Sequence, residues 1–219
     1  MSRETSATQE VYEQLRGDLL ACRFRPGDKL KIADLCERMK VSPGAVRESL
    51  SRLTSEGFVV SEPQRGFSVA PISSSELTDL TLVRSEIESL CLRRAIAKGD
   101  VRWEAQIVAS FHEWSRTWEQ EKSSDAAAEA HSAFHRALVA ACDSGWLLRL
   151  RNILFAQSER YRRLSVPLGG DKRDLLEEHR ELMNVMLARD ADRAVTLIHA
   201  HFTATERVLT TNNVVTLDG

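Results

Sequence analysis

The sequence predicts a mainly α chain: a unit of three helices and a β-hairpin at the N-terminus, then an all-helical antiparallel bundle of about six helices. Three observations carry this. The 219 residues are 42% hydrophobic and 28% charged, rich in Leu, Ala, Arg and Glu with only two Tyr, a balance that favours a globular, helical chain over sheets or disorder. Apolar residues recur at helical spacing along most of the length. Pro, Gly, Ser and Asp fall between the periodic segments, where they cap or stop helices.

The first helix spans about 11–22, with Val11, Leu15, Leu19 and Cys22 on one stripe, and Arg25-Pro26-Gly27 ends it. A short second helix covers Ile32 to Met39. Ser42-Pro43 then reads as an N-cap followed by proline at the first helical position, so a third helix starts at Pro43. It runs to about Ser55 with Val46, Ser49, Leu50 and Leu53 inward, and Gly57 stops it. Two extended runs, 58–61 and 67–70, flank Glu62-Pro63-Gln64-Arg65-Gly66 and predict a hairpin with an exposed tip. Pro71 and Ser73 to Ser75 mark a linker at about 71–74, giving a first domain of 1–71 and a second of 72–219. Helices follow at about 74–98, 102–121, 125–143, 145–166, 172–188 and 191–210, and the tail 211–219 is expected to fray.

No apolar run reaches the roughly 18 residues of a membrane helix, and the polar opening from Ser2 to Glu10 is unlike a signal peptide, so no membrane role and a cytoplasmic location are expected. The four cysteines are widely spaced without a C-x-x-C pair and read as small core side chains rather than a disulfide framework. A net charge of −2 decides nothing about nucleic acid, because a small basic face can hide in a near-neutral total.

Helix, helix, turn, helix, hairpin is the order of a winged helix-turn-helix. In that arrangement the third helix enters the major groove of duplex DNA and needs an outer face of small and basic residues. Here that face carries Gly44, Arg47, Glu48, Ser51 and Arg52. Arginine suits a bidentate contact to guanine, and small residues let the helix sink. Ser42 with the first backbone N–H groups suits a phosphate, and Arg65-Gly66 at the hairpin tip suits the minor groove or backbone. The bland alternative pairs Arg47 and Arg52 with Glu48 and Glu56 on a solvated helix.

The stretch from 26 to 69, with P-G-D-K-L, L-C-E-R-M-K-V-S-P-G-A-V-R-E-S-L-S-R-L, E-G-F-V and P-Q-R-G-F-S-V, resembles the GntR family of bacterial transcription regulators. The resemblance implies a pseudo-palindromic operator bound by a homodimer. The family's usual Ser-Arg-Thr-Pro-Val-Arg-Glu run appears as Ser42-Pro43-Gly44-Ala45-Val46-Arg47-Glu48: Arg47 is kept, while Pro43 stands where an arginine usually follows the serine. A departure from the family's common operator sequence is expected.

Histidines mark the second half. His131 and His135 are four apart and share a face with Leu138 and Cys142; His179 shares a stripe with Leu175, Leu182 and Met186; His201 shares one with Ala194 and Ile198. A single histidine on an apolar face is more often a satisfied core residue than a ligand. Four converging imidazoles are costly to desolvate without a metal or hydrogen-bond partners, and both outcomes stay open from the residues alone. His199 points away from His201, and His112 has no histidine partner.

The rest of the chain, with L-T-D-L-T-L-V-R-S-E-I-E-S-L-C-L-R-R-A-I, F-H-R-A-L, E-H-R-E-L-M and A-R-D-A-D-R-A-V-T-L-I-H-A-H-F, resembles the all-helical FCD effector domain of the FadR subfamily. That resemblance implies a buried metal held at His131, His135, His179 and His201, with His131 where the family usually has aspartate. Imidazole in place of carboxylate shifts the preference toward zinc, with nickel as an alternative, and leaves the site more positive. Four imidazoles either close a tetrahedral zinc or share a wider shell that a small organic acid completes; the resemblance favours the second. It also implies an effector role for Arg84, which would hold a carboxylate in a bidentate pair unless Glu86, Glu88 or another helix takes it. Tyr161 and Arg163 are weaker candidates for the same pocket. The expected function is a ligand-responsive regulator, repressing until ligand binds. A regulator answering to the metal alone is the alternative. An enzyme is not expected: His112-Glu113-Trp114-Ser115-Arg116 lacks the second histidine of a zinc-protease helix, and no phosphate-binding loop or nucleophile elbow occurs, which leaves little for a metal-dependent hydrolase.

Overall fold

Val11, Leu15 and Leu19 on one helix meet Val46, Leu50 and Leu53 on another, and all six side chains are buried. That seam organises the first of two compact units, Met1–Ile72 and Ser73–Gly219, in a computed structural model that describes residues 7–168 and 174–215. The elements of the first unit are α1 (Ala7–Leu20), β1 (Lys29–Leu30), α2 (Ile32–Met39), α3 (Pro43–Ser55), β2 (Val59–Glu62) and β3 (Gly66–Val69). The sheet order is β1-β3-β2, antiparallel throughout, with Lys29 opposite Ser68 and Val60 opposite Ser68 on its other side. The hairpin was legible, but β1 was not: two residues are too few for a periodic signal.

α1 starts earlier than its apolar stripe and stops at Leu20, short of Pro26. Cys22 adopts a left-handed φ of 52°, Arg23 N–H donates to the Asp18 carbonyl and Cys22 N–H to that of Leu19, the double closure that ends many helices. The buried Asp18 carboxylate then accepts from Arg23 at 2.7 Å and from Arg38 of α2 at 2.8 Å. This fixes α2 against α1. Ser42 caps α3 by accepting from Ala45 N–H.

The second unit contains α4 (Ser74–Lys98), α5 (Val101–Gln120), α6 (Asp125–Leu138), α7 (Gly145–Ser165), a 3₁₀ turn (Val166–Leu168), α8 (Leu175–Leu187) and α9 (Ala191–Thr211). Caps set most starts: Ser73, Asp100, Ser124, Ser144, Asp174 and Asp190 each accept a backbone N–H with the side chain. The expected start of the fifth bundle helix at 172 lies outside the described residues, as do 216–219 of the tail; Val215 within the tail is buried rather than frayed. Gly99 separates α4 from α5 because a Cβ there would lie 2.0 Å from the Trp103 ring, whose Nε1 donates to the Ala137 carbonyl at 3.0 Å. α4 packs against α7 and α9, α5 against α6 and α8, and α8 against α9. Leu92, Ile107, Phe134, Leu138, Met186 and Ile198 form the centre of their common core. Among the described residues no helix is long and apolar enough to cross a membrane. Of the four cysteines, Cys91 and Cys142 are buried, Cys22 and Cys36 half-buried.

α6 ends five residues before the expected position, and a charged group inside the core meets one of its last carbonyls. Arg151 of α7 is 1% exposed and Glu88 of α4 is fully buried; their ion pair is bidentate, with Nε to Oε2 at 3.0 Å and Nη2 to Oε1 at 3.1 Å. Arg151 Nη2 also donates to the His135 carbonyl at 3.1 Å, which satisfies that oxygen without another helical turn. Glu88→Gln or Arg151→Met alone should cost about 3–5 kcal/mol of stability in chemical denaturation, since each strands a buried charge, whereas a double replacement by apolar residues should cost much less.

Candidate metal centre and nucleic-acid interface

α6, α8 and α9 bring four imidazoles to one buried point. The α-helical repeat places His131 and His135 one above the other on the inner face of α6, with ring centroids 4.5 Å apart. His179 from α8 lies 5.0 Å from His131 and 5.2 Å from His135, and His201 from α9 lies 4.6 Å from His179. All four residues are buried, and one nitrogen of each lies within 4.8 Å of the others. The Nε2 atoms of His135 and His179 face each other at 3.2 Å. Trp114 of α5 closes one side, its ring centroid 4.3 Å from that of His179.

The outer nitrogens fix two of the rings. His179 Nδ1 lies 2.6 Å from the Leu175 carbonyl and His201 Nδ1 lies 2.8 Å from Glu178 Oε2, so both present Nε2 to the cluster. Nδ1 of His131 and of His135 is buried with no hydrogen-bond partner. Burial, helped by Arg162 for His131 and by His179 and His201 for His135, holds both rings well below the usual histidine range. They are neutral at pH 7 and carry lone pairs. Neutral imidazoles, backed by a carbonyl and a carboxylate, fit a borderline divalent transition ion. Glu178 was not singled out from sequence, although its place just before His179 puts it on the adjoining helix face.

Arg84 of α4 sits beside this cluster. Its guanidinium lies 3.6 Å from the Phe202 ring and 5.2 Å from that of Phe155, and Phe202 in turn packs on His201. Burial pushes its pKa down to about 10, against the opposing pull of Glu88, so it stays charged at neutral pH. Among the described residues it has no ion pair: Glu88 is taken by Arg151. Its buried Nε has no hydrogen-bond partner. Arg84 and Tyr161 line a small cavity together with Ser158, Phe202, Thr205 and Glu206. The Tyr161 hydroxyl donates to Glu76 at 2.9 Å, and burial beside that carboxylate raises its pKa. Arg163 is outside this lining and pairs with Asp125 at 2.6 Å and Glu159 at 3.5 Å. Ser158 and Glu206 carried no sequence signal of their own; only the pairing of α4 with α9 puts Glu206 near Arg84.

In the first unit, Gly44, Arg47, Glu48, Ser51 and Arg52 form the exposed face of α3. The two arginines differ. Arg52 stacks 3.6 Å over Tyr12, donates to Gln9 at 2.9 Å and lies 3.6 Å from Glu56, much as the bland alternative expects. Arg47 has no such partner among the described residues. A Cβ on Gly44 would meet only Ser42 Oγ, at 3.8 Å, so the fold itself does not require glycine there. Gly66 has a φ of 82° at the hairpin, and the exposed Arg65 pairs loosely with Glu62 at 3.0 Å.

Comparison with known proteins agrees with both halves. Residues 7–69 match the bacterial regulatory proteins of the gntR family, and residues 79–204 match the FCD domain. The chain is 38% identical over 210 residues to the HTH-type transcriptional regulator BphR of Paraburkholderia xenovorans (strain LB400), covering 90% of this chain and 82% of that one. It is 36% identical over 207 residues to the HTH-type transcriptional repressor GlaR of Escherichia coli (strain K12), covering 90% and 93%. The solved E. coli McbR/YncC structure superposes with a TM-score of 0.80 over 95% of this chain and 99% of that one, at 19% identity, and supports the fold. The chain therefore belongs to the GntR family, as a DNA-binding transcription regulator with a winged helix-turn-helix and an FCD effector domain.

Proposed function

We propose that this regulator is a homodimeric repressor that senses a small organic acid at a metal centre formed by His131, His135, His179 and His201. The convergence of four buried imidazoles carries the reading. Zinc is the ion that such a donor set suits best, with nickel next. A bound ion would supply a doubly positive Lewis-acidic centre able to take a carboxylate oxygen. A closed tetrahedral zinc needs its nitrogens about 3.4 Å apart, from metal–nitrogen distances near 2.0–2.1 Å; the Nε2 atoms of His135 and His179 lie 3.2 Å apart, near that spacing, and it is the family resemblance that favours a wider shell. Arg84 supports the acid, being a buried-edge guanidinium with no carboxylate partner. Release of DNA then requires that the acid favour one arrangement of the protein over another. Two relatives, GlaR and RspR of E. coli, are named repressors, which supports the sign of control.

On DNA, Arg47 is the base reader and Gly44 and Ser51 give the helix its close approach, with Ser42, Arg65 and Gly66 on the backbone or minor groove. Arg52 serves first to hold α1. A two-fold operator calls for two copies. Leu82, Val83 and Leu90 of α4 with Trp146, Leu150 and Ile153 of α7 are exposed apolar side chains on two helices that pack together, a surface suited to the second copy.

Each element has its own measurement. In gel shifts with the DNA upstream of its own gene, Arg47→Ala should cost about 1–3 kcal/mol and relax the sequence preference; Gly44→Ala should weaken binding while thermal stability stays level or rises. Leu150→Glu with Ile153→Glu should move the protein from dimer to monomer in sedimentation and weaken operator binding with it. For the sensor, elemental analysis should find one transition ion per chain, lost in His135→Ala. After dialysis against a chelator and reloading with zinc, a short-chain carboxylic acid should release the DNA. A DNA response to zinc alone, indifferent to every acid, would establish the metal-responsive alternative instead.

A further inference from the structure

We propose that Lys40, in the turn between α2 and α3, holds a phosphate of the bound DNA. The proposal rests on the DNA binding of the family and is independent of acid sensing. Five residues other than glycine have a left-handed backbone among the described residues: Cys22, Lys40, Gln64, Arg189 and Asn213. L side chains disfavour that conformation, and glycine takes it most readily. Arg189 recovers the cost inside the protein. At φ 57° it donates to the Ile96 and Gly99 carbonyls at 2.7 and 2.8 Å and pairs with Glu104 at 2.6 Å. Lys40, at φ 56° and ψ 45°, has no such return. Its side chain is exposed and makes no hydrogen bond or ion pair among the described residues, with Glu37 three positions back included. The N–H groups of Lys40 and Val41 both donate to the Cys36 carbonyl, a closure that glycine would make with less strain. The turn therefore explains the backbone and leaves the lysine unexplained, and an unrecovered strain at a binding surface points to a partner outside the chain.

The place of Lys40 supplies what α3 lacks. α3 opens on Pro43, Gly44, Ala45 and Val46, so its first turn carries no charge. Val41 is half-buried, while Lys40 and Ser42 on either side of it are exposed. Arg38, the cation before Lys40, is drawn back to Asp18 at 2.8 Å and lies 5.1 Å from the Phe24 ring. Between Arg38 and Arg47, Lys40 is the one cation in the sequence. An ammonium on a flexible stem meets a phosphate as a point charge and adds affinity to any duplex without reading its bases. Arg47 selects and Lys40 binds. The competing account assigns the charge to the C-terminal end of α2, whose last carbonyls favour a cation.

The test is fluorescence anisotropy on the full chain, with the duplex upstream of its own gene and a duplex of unrelated sequence, each over a series of potassium chloride concentrations. Lys40→Gly should reduce the slope of log affinity against log salt by about 0.9 per bound chain and weaken both duplexes alike, about fivefold per chain at about 0.15 M salt. Lys40→Asn, which keeps a side chain without the charge, should do the same, and Lys40→Arg should keep the wild-type slope. The thermal midpoint of free Lys40→Gly should stay level or rise, because glycine is at ease in the turn. A slope unchanged in both Lys40→Gly and Lys40→Asn overturns the phosphate contact, and a lowered midpoint beside it gives the lysine to the end of α2. Affinity lost at constant slope overturns it too, and assigns the effect to the shape of the turn. If the wild-type protein binds both duplexes equally, the operator reading fails while the slopes still decide on Lys40.

Discussion

The Glu88–Arg151 pair decides how the effector domain is put together. Two opposite charges out of water are tolerable only with full hydrogen bonding, and here the guanidinium spends its donors on a bidentate carboxylate and on a backbone carbonyl. Those three contacts come from α4, α7 and α6. They hold the helix that carries His131 and His135 at a fixed place against the helix that carries Arg84. They also remove the one nearby carboxylate that would otherwise neutralise Arg84 from its own helix. A single buried ion pair therefore does two things: it satisfies a carbonyl near the end of α6, and it leaves Arg84 without an ion pair among the described residues.

The DNA-binding unit applies the same logic at lower stakes. Asp18, buried and shared between Arg23 and Arg38, locks α2 to the end of α1. Arg52 is drawn back onto Tyr12, Gln9 and Glu56, which ties α3 to α1. What remains on the outer face of α3 is short side chains, Glu48 and one arginine, Arg47. With proline and glycine at the first two positions of α3, the start of that helix presents little besides backbone on its outer side.

The sequence made the order of elements and the four histidines readable because both depend on local periodicity. Stripes at three and four residues set which side of a helix is apolar, and the histidines lie on those stripes. Capping residues located most helix starts for the same reason. What it left unread depends on contacts between distant segments. β1 is two residues paired to a strand nearly forty positions on. The end of α6 lies beside an arginine of the next helix that bonds its His135 carbonyl, and nothing within 139–143 announces it. The different roles of Arg47 and Arg52 follow from where α1 lies, and Glu206 becomes part of a cavity only because α9 lies along α4. Glu178 was within reach: a carboxylate beside a candidate ligand histidine is worth testing as the group that orients a neighbouring ring.

Charge accounting around the cluster points to an anionic guest. Four imidazoles bring no negative charge, whereas a carboxylate at position 131, as the family resemblance would have it, would bring one. Of the charged side chains nearby, Arg151 pairs with Glu88 and Arg162 with Glu159, while among the described residues Arg84 has no ion pair and is under the longer-range pull of those two carboxylates. Glu178 is the acid in direct contact with a ring, through His201. A dication held by these rings would sit with an uncompensated guanidinium close by and one carboxylate behind it, an excess of positive charge in a place of low dielectric. Burial makes such an excess expensive, and among the described residues Arg84 has no ion pair to offset it. A carboxylate arriving from outside, as in the proposed function, would answer both counts at once, and it would bias the packing of the helices only by favouring one arrangement over another.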